Sequence, residues 1–421
     1  MRVNTVSLIA SNLVTGVLGL AFWGVAGRLY PTHEVGIAAA ILTSAIMLAT
    51  LSILSIDTLY ERFLPLAGTR AGPLLRNGFL VVCTAATLSS IGLIIFGPRE
   101  ELFNSPWSMV GFLVLVVVLA IYTLQDKATV GLGVARWAAA KNSFHAVVKL
   151  VALVALVWTG SAVSIVSSWG VTAAVAAVVL LVMMRRRYRT DPLFLVPPTL
   201  PPSGQIWSYF WSSNGLTALW TIGPLVVPLI VLAQFGPEAN AHFAVTWAIV
   251  NALYTMVHLI VSPYVSQVAA NPDEVSQLSW RMVQMMGVVM VVGSVGIVAV
   301  GPTALSLVGA EYEAQGHGLL YLSALFVPLS AVGAVFEGFA RVQRKLGLII
   351  AVRCLSTFLI VAGSVVGTKS IGIIGVGWAY VVAEGAAAAI LIVPTVMWLR
   401  RTGRESERTE IARRVAEEPV L

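Results

Sequence analysis

Charged residues are scarce in this chain, and their scarcity excludes most soluble folds. They make up 11% of the 421 residues, whereas a soluble domain carries about 25%. Hydrophobic residues reach 58% and form runs of roughly 17 to 25, the length that crosses a hydrocarbon core about 30 Å thick. The composition therefore predicts an all-α, polytopic membrane protein.

Signatures of soluble enzymes are missing as well. The sequence contains no P-loop, His-Glu-x-x-His, Gly-x-Ser-x-Gly or Cys-x-x-Cys motif. Its two cysteines, Cys83 and Cys354, fall inside predicted helices, which argues against a disulfide framework. We therefore expect a non-enzyme with no catalytic residue, no metal site and no cofactor.

Apolar runs separated by charged residues, glycines and prolines predict twelve membrane spans. The first half contributes 5–27, 35–56, 75–97, 108–125, 143–159 and 162–184. The second half contributes 206–232, 240–262, 282–301, 319–340, 346–366 and 371–398. No small-residue cleavage site follows the first run, so we interpret it as a span rather than a signal peptide.

Lysine and arginine gather on one side of these spans. If the N-terminus is inside, Arg28, Arg99 and Lys369 lie outside and nearly all the others fall in cytoplasmic segments. Short cytoplasmic loops retain positive charge, so both termini are predicted to be cytoplasmic. The basic residues are not interleaved with aromatics, so the net charge of +7 indicates no nucleic-acid partner.

A proline-rich segment and an internal repeat divide the chain. Residues 188–204 predict an extended cytoplasmic linker between two six-helix bundles, 1–187 and 205–399, and 400–421 forms a charged cytoplasmic tail. The repeat pairs 133–136 with 338–341, and Lys149 with Arg353. Six spans per half return the chain to the same side, so the predicted bundles are pseudo-symmetric about an axis along the membrane normal.

The stretch from Arg28 to Pro65 resembles the N-terminal motif of a known transporter family. The matching positions are Arg28, Pro31 and Gly36, followed after an apolar helix by Ile56, Asp57, Arg62, Phe63, Leu64 and Pro65. Ser55 stands where that family usually has glycine. The motif is similar to that of Wzx-type flippases, the polysaccharide exporters of the multidrug/oligosaccharidyl-lipid/polysaccharide superfamily.

The resemblance implies a flippase in the bacterial cytoplasmic membrane. Such a protein moves an isoprenoid-pyrophosphate-linked oligosaccharide outward by alternating access, for cell-surface polysaccharides such as lipopolysaccharide. Its implied partners are that substrate, membrane lipids, a polysaccharide polymerase and glycosyltransferases. The resemblance also implies that Arg28 and Arg62 lie near the two mouths of the cavity.

Cations inside the predicted spans are the main candidates for substrate binding, because a buried charge costs roughly 2.5 to 3.5 kcal/mol at a helix centre. Lys141, His145 and Lys149 recur every fourth residue and share one helix face, and Arg353 is the repeat mate of Lys149. Lys149, Arg353 and His145 predict a cationic cavity suited to a pyrophosphate. The alternatives are snorkelling to the headgroups or pairing with Glu337 or Glu384.

Acidic and polar residues supply the remaining candidates. Glu384 is predicted to bind a coupling proton or sodium ion or to pair with Arg353, Glu337 to pair with Arg341, and Asp57 to be a rim charge or part of the coupling site. The candidates for cavity lining or a helix hinge are Asn12, Asn214, Pro224, Pro228 and His258.

Three other functions stay open at this point. A cation-coupled drug or metabolite antiporter on the same fold would favour acidic groups in the cavity. A membrane enzyme would need convergent carboxylates or histidines and a larger loop domain. A scaffold that transports nothing is compatible with the same hydropathy.

Overall fold

The computed structural model describes the backbone of residues 2–343 and 345–417. Side chains are described for 14–202, 204, 223, 225–254, 256–257, 260–261, 263–265, 267–268, 271, 273–343 and 345–404. The helices are α1 (Arg2–Leu29), α2 (Thr32–Ser52), α3 (Ile56–Phe63), α4 (Ala71–Phe96), α5 (Arg99–Leu102), α6 (Pro106–Gly131), α7 (Ala135–Ala155), α8 (Ala162–Thr190), α9 (Ser203–Ala270), α10 (Val275–Val308), α11 (Ala310–Gln343), α12 (Gly347–Ile371) and α13 (Ile374–Glu417).

The all-α prediction is confirmed, and the described backbone contains no strand. The long α9 is interrupted at Gly236, whose φ of 82° is not helical, so α9 comprises two helices. With α9 counted as two, the long helices match the twelve predicted spans. Nine helices within the part of the chain described with side chains are long and apolar enough to cross a membrane. The chain is a multi-pass membrane protein.

Several helices end at other residues than the apolar runs predict. The predicted span 35–56 is wrong at its end, because α2 stops at Ser52 and α3 starts separately at Ile56. Leu54 and Ser55, with φ of 49° and 57°, break the helix between them. Conversely, α6 continues past the predicted end at 125 to Gly131, and α13 continues through the predicted tail to Glu417. Glutamate and arginine favour helix without being apolar, which explains the second extension.

The proline-rich linker is attached to the loop that follows α3. Beyond a short 3₁₀ turn at Pro192–Phe194, the backbone of Thr69 donates to the Val196 carbonyl at 3.0 Å, and that of Thr199 donates to the Leu66 carbonyl at 2.9 Å. The Phe194 side chain is buried beside these bonds. The predicted linker 188–204 is wrong at both ends, because α8 continues to Thr190 and α9 begins at Ser203. The two backbone bonds fix the part of the linker between 194 and 199 in place.

The chain forms two compact units, 1–248 with 307–312 and 249–306 with 313–421. In the first, α1 packs on α7, and α6 packs on α2, α4, α7 and α8. In the second, α12 packs along α13, and Phe336, Ile349 and Leu391 belong to its buried core. The bundle boundary at 188–204 and the pseudo-symmetry of the halves stay predictions.

Candidate functional site

Three buried basic side chains line one face of α7. Lys141, His145 and Lys149 are 7%, 6% and 5% exposed, so the face they share points into the protein rather than into lipid. Their four-residue spacing stacks them one above another on the helix. The helices α1, α6 and α8 pack around α7 and supply their surroundings.

Lys141 is neutralised by a carboxylate on α6. Its Nζ lies 2.7 Å from Oδ1 of Asp126 and donates to the Tyr122 carbonyl oxygen at 2.5 Å. The same ammonium lies 3.5 Å from the centroid of the Tyr122 ring. Asn142 completes the group, because its Nδ2 donates to Asp126 and its Oδ1 accepts from the Tyr122 hydroxyl. Lys141 is therefore an ion-paired cation whose contacts join α7 to α6.

His145 lies between two aromatic rings. Its Nε2 is 3.2 Å from the Trp169 carbonyl oxygen on α8, a distance at which the imidazole donates when Nε2 carries the proton. The ring centroid of Tyr122 is 5.0 Å away, and that of Trp169 is 6.1 Å away. These contacts hold the imidazole in place between Lys141 and Lys149.

Lys149 is buried against aromatic faces. Its Nζ lies 3.2 Å from the centroid of a Trp169 ring and 5.2 Å from that of Phe22 on α1. Where side chains are described, no carboxylate oxygen comes within 4.0 Å of this ammonium. A cation over an aromatic face gains on the order of 2 kcal/mol when desolvated, which offsets only part of the burial cost. An anion that reached Lys149 would therefore meet a cation whose charge is not neutralised by a carboxylate.

Arg353, the repeat mate of Lys149, meets a carboxylate instead. Its Nη1 lies 3.4 Å from both carboxylate oxygens of Glu384, and both side chains are buried. Gly333 makes room for the guanidinium, since a Cβ at that position would lie 2.6 Å from Nη2. The rings of Phe326 and Tyr380 stack on each other, with their centroids 5.0 Å apart. The two repeat positions thus differ in charge balance.

The other predicted charged residues lie near helix ends. Glu337 accepts a hydrogen bond from Arg341 at 2.5 Å, as predicted. Arg28 is exposed and donates to the Leu307 carbonyl oxygen at 2.6 Å, and exposed Arg62 lies 5.5 Å from the Phe63 ring centroid. Asp57 is half-buried on α3, and this burial raises the pKa of its carboxyl, while the charge of Lys127 opposes the shift.

Four of the five cavity or hinge candidates lie outside the described side chains. These are Asn12, Asn214, Pro224 and His258. The fifth, Pro228, is buried within α9. The cavity lining and the hinge stay predictions.

The α7 cations are surrounded by residues that the sequence pattern does not identify. Asp126, Tyr122, Trp169 and Phe22 all contact them, yet none was a candidate. Asp126 lies one position beyond the predicted span that ends at 125. No glycine or proline follows it before Gly131, and the absence of a helix breaker is the available signal that α6 continues past 125. The aromatics carried no comparable signal, because aromatic side chains are common in any membrane span.

Solved structures share this fold at low sequence identity. An inward-facing multidrug resistance transporter of the MATE family, in the MOP superfamily, is 12% identical, with a TM-score of 0.68 over 95% of this chain and 99% of its own. The lipid II flippase MurJ, in an inward closed conformation, is 9% identical, with a TM-score of 0.67 over 100% of this chain and 94% of its own.

A third structure with this fold is an MOP superfamily transporter from Pyrococcus furiosus. It is 13% identical, with a TM-score of 0.60 over 95% of this chain and 96% of its own, and it is described as having a binding pocket of reverse polarity that suggests a different function. No protein-family model and no curated protein matches the sequence. These likenesses show that the chain shares the all-α fold of about twelve membrane spans that the hydropathy predicts.

Proposed function

From a fold shared with multidrug transporters and a lipid II flippase, we propose that this chain is a lipid-linked oligosaccharide flippase. It moves an isoprenoid-pyrophosphate-linked oligosaccharide from the inner to the outer leaflet of a bacterial cytoplasmic membrane, for cell-surface polysaccharide synthesis. The observation that carries the proposal is Lys149, a buried cation whose described contacts are aromatic.

Charge balance favours an anionic substrate over a cationic one. Glu337 and Glu384 are the buried carboxylates among the side chains that the structure describes, and each faces an arginine. Half-buried Asp126 faces Lys141. A cationic drug would have to displace a base from one of these acids, whereas an anionic phosphate gains a partner at Lys149. The contact would be charge-assisted, roughly twice as strong as a neutral hydrogen bond.

The aromatic contacts of Lys149 suit a reversible exchange of the ammonium between an aromatic ring and the substrate phosphate. In the resting protein the ammonium lies on Trp169; in the loaded protein it turns to phosphate oxygens, and the isoprenoid tail remains in the bilayer. A cation–π contact is weaker than an ion pair in the same surroundings, so the phosphate can compete for the ammonium. Once the substrate leaves, the aromatic face again stabilises the bare cation, and alternating access returns the site to the inner side.

The second candidate is a cation-coupled antiporter, a function with which the buried Glu384 is also compatible. In that function Glu384 would exchange Arg353 for a proton or sodium ion. The same exchange is also our proposal for coupling in the flippase, so the pair does not discriminate between the two. The charge of the transported molecule distinguishes the antiporter from the flippase.

A reconstituted flipping assay tests the proposal. The purified protein is placed in vesicles that contain a fluorescent isoprenoid-pyrophosphate oligosaccharide, and outward transfer is followed by reduction of the exposed dye. We expect Lys149→Met to reduce the initial rate at least tenfold and Lys149→Arg to retain most of it. Lys369→Met removes the same charge from an exposed position and serves as the matched control.

Transport of a cationic dye in the same vesicles distinguishes the second candidate. If the Lys149→Met protein folds normally and flips the lipid at the wild-type rate, Lys149 is not part of the substrate site. Dye transport that depends on Glu384, with no lipid transfer by the wild-type protein, would instead support the antiporter.

A further inference from the structure

A cavity of about 250 Å³ lies between the start of α4 and the end of α8 in the first unit. Arg76 and Phe79 line it from α4, and Val182, Arg185 and Tyr188 line it from α8. It is separate from the α7 cluster, since none of Lys141, His145, Lys149 or their described partners lines it. The proposed transport function assigns it no role.

The polar part of the cavity is cationic. Arg76 and Arg185 are both exposed, and no aspartate or glutamate lines the cavity. The nearby Asp191 forms an ion pair with Arg187, which does not line it. Two guanidinium groups without a lining carboxylate are suited to a phosphate, which guanidinium can bind through paired hydrogen bonds.

The remaining wall of the cavity is apolar and continues onto the outer surface of the helices. Leu75 and Phe79 line it on α4 and Val182 on α8, and the neighbouring side chains of Leu80 and Val179 are 59% and 55% exposed. Both helices are long and apolar enough to span a membrane. The two arginines therefore lie where the apolar segments of α4 and α8 give way to basic sequence, the level of lipid headgroups, and Tyr188 suits the same level.

Two features fix the shape of the cavity. The ring of Tyr188 packs on Gly72, where an added Cβ would lie 3.0 Å from Cε2 of the tyrosine. The backbone bonds from Thr69 to Val196 and from Thr199 to Leu66 tie the segment that precedes α4 to the segment that follows α8. Because backbone bonds hold the segments at one end of the cavity, little ordering is needed there when a ligand binds.

We propose that this cavity binds one anionic phospholipid of the surrounding leaflet. Its phosphate lies between Arg76 and Arg185, and the start of an acyl chain follows Phe79 and Val182. A volume of about 250 Å³ falls below the roughly 300–1,000 Å³ of pockets that enclose a whole drug-sized ligand. The cavity therefore fits a headgroup with its chains left in the bilayer, and is too small for an oligosaccharide.

Native mass spectrometry of the full-length protein tests this site. The protein in detergent is titrated with phosphatidylglycerol, with zwitterionic phosphatidylcholine, and with inorganic phosphate. We expect one tightly bound phosphatidylglycerol, and about thirtyfold weaker binding in Arg76→Gln/Arg185→Gln, since each basic residue near an anionic lipid contributes about fivefold. Arg186→Gln/Arg189→Gln removes the same charge from exposed residues of the same helix end, outside the cavity, and should bind as the wild type does.

A second variant tests the apolar wall without a change in charge. Val182 is 49% exposed, so Val182→Trp fills part of the cavity from its open side and should fold while losing the bound lipid. Equal losses in the two arginine pairs would mean diffuse attraction to a basic surface and would overturn the proposal. Saturation by inorganic phosphate at matched concentration would overturn it in favour of a simple anion site, as would unchanged lipid binding in the cavity variants.

Discussion

At the scale of single residues, Ser55 occupies a backbone conformation that normally belongs to glycine. Its φ is 57° and its ψ is 16°, the left-handed region, and the preceding Leu54 is also at positive φ. Left-handed backbone costs an L-residue roughly 1–2 kcal/mol. The glycine that the Wzx-type motif has at this position avoids that cost, so the structure gives a physical reason for the motif.

Replacing Ser55 by glycine should therefore stabilise the protein. Ser55→Gly relieves the left-handed strain and removes a buried hydroxyl, while the freer unfolded chain opposes part of the gain. We expect the free energy of unfolding to rise by about 1 kcal/mol, measured by equilibrium unfolding in mixed detergent and SDS micelles. Ser44→Gly, in the middle of α2, is the matched control and should lower stability, because its backbone is helical.

The Arg353–Glu384 pair makes a second prediction at this scale. Both groups are buried, so removing Glu384 alone leaves a buried guanidinium without this carboxylate. Glu384→Leu should lower the free energy of unfolding by about 3–5 kcal/mol, whereas Arg353→Met/Glu384→Leu should recover most of that loss. The same unfolding assay measures both, and a double variant less stable than the single one would contradict this account.

The candidate site was predictable from sequence only in part. The four-residue spacing of Lys141, His145 and Lys149 was enough to place them on one face, and all three are buried. The pairing of Arg353 with Glu384 is one of the alternatives that the sequence predicts, whereas the pairing of Lys141 with Asp126 is not predictable, because Asp126 lies on another helix. That information depends on packing between helices, which no local pattern contains.

At the scale of elements, Gly36 permits a close contact between α2 and α9. A Cβ at Gly36 would overlap the Pro237 carbonyl group, next to the break at Gly236. Asn240 donates from Nδ2 to the Gly36 carbonyl at 2.8 Å and is fully buried. The glycine of the Arg28–Pro65 motif thus allows one backbone to lie directly against another.

Substituting Gly36 should separate these two elements. Gly36→Ala forces a methyl group into backbone atoms that cannot rotate away, so we expect a loss of at least about 1–3 kcal/mol of stability. Gly92→Ala on α4 is the matched control, since nothing lies within 4 Å of its added Cβ, and it should be neutral or slightly stabilising. The melting temperatures of both variants in detergent, and their yields in the membrane, provide the measurement.

Helix count was predictable because it depends on hydropathy, whereas helix ends depend on local backbone chemistry. The helix breaks at Leu54 and Ser55, inside the apolar run 35–56. Neither a change in hydropathy nor a charged residue indicates that break in the sequence. The run ending at 125 hides six further residues of α6, because polar residues continue a helix as readily as apolar ones. Hydropathy therefore predicts which segments cross the membrane. It does not predict the residue at which each helix ends, because that depends on local hydrogen bonds.

At the scale of the whole molecule, twelve spans and the distribution of basic residues predict the topology. Green fluorescent protein folds only in the cytoplasm and alkaline phosphatase is active only outside it. A C-terminal fusion should therefore fluoresce and show no phosphatase activity. Fusions in the α4–α6 loop, after Asn104, should show the reverse. A phosphatase-active C-terminus would mean an odd number of spans or an inverted protein.

The contact between Lys149 and Trp169 also gives the protein an intrinsic fluorescent reporter of anion binding. An ammonium 3.2 Å from an indole ring alters the energy of its excited state, and an anion that draws the ammonium away removes that field. The chain has twelve tryptophans, so a variant that retains Trp169 and carries phenylalanine at the others would isolate its emission. The emission wavelength of Trp169 would then report how often the ammonium leaves the ring. The measurement would run in real time and would need no label on the sugar.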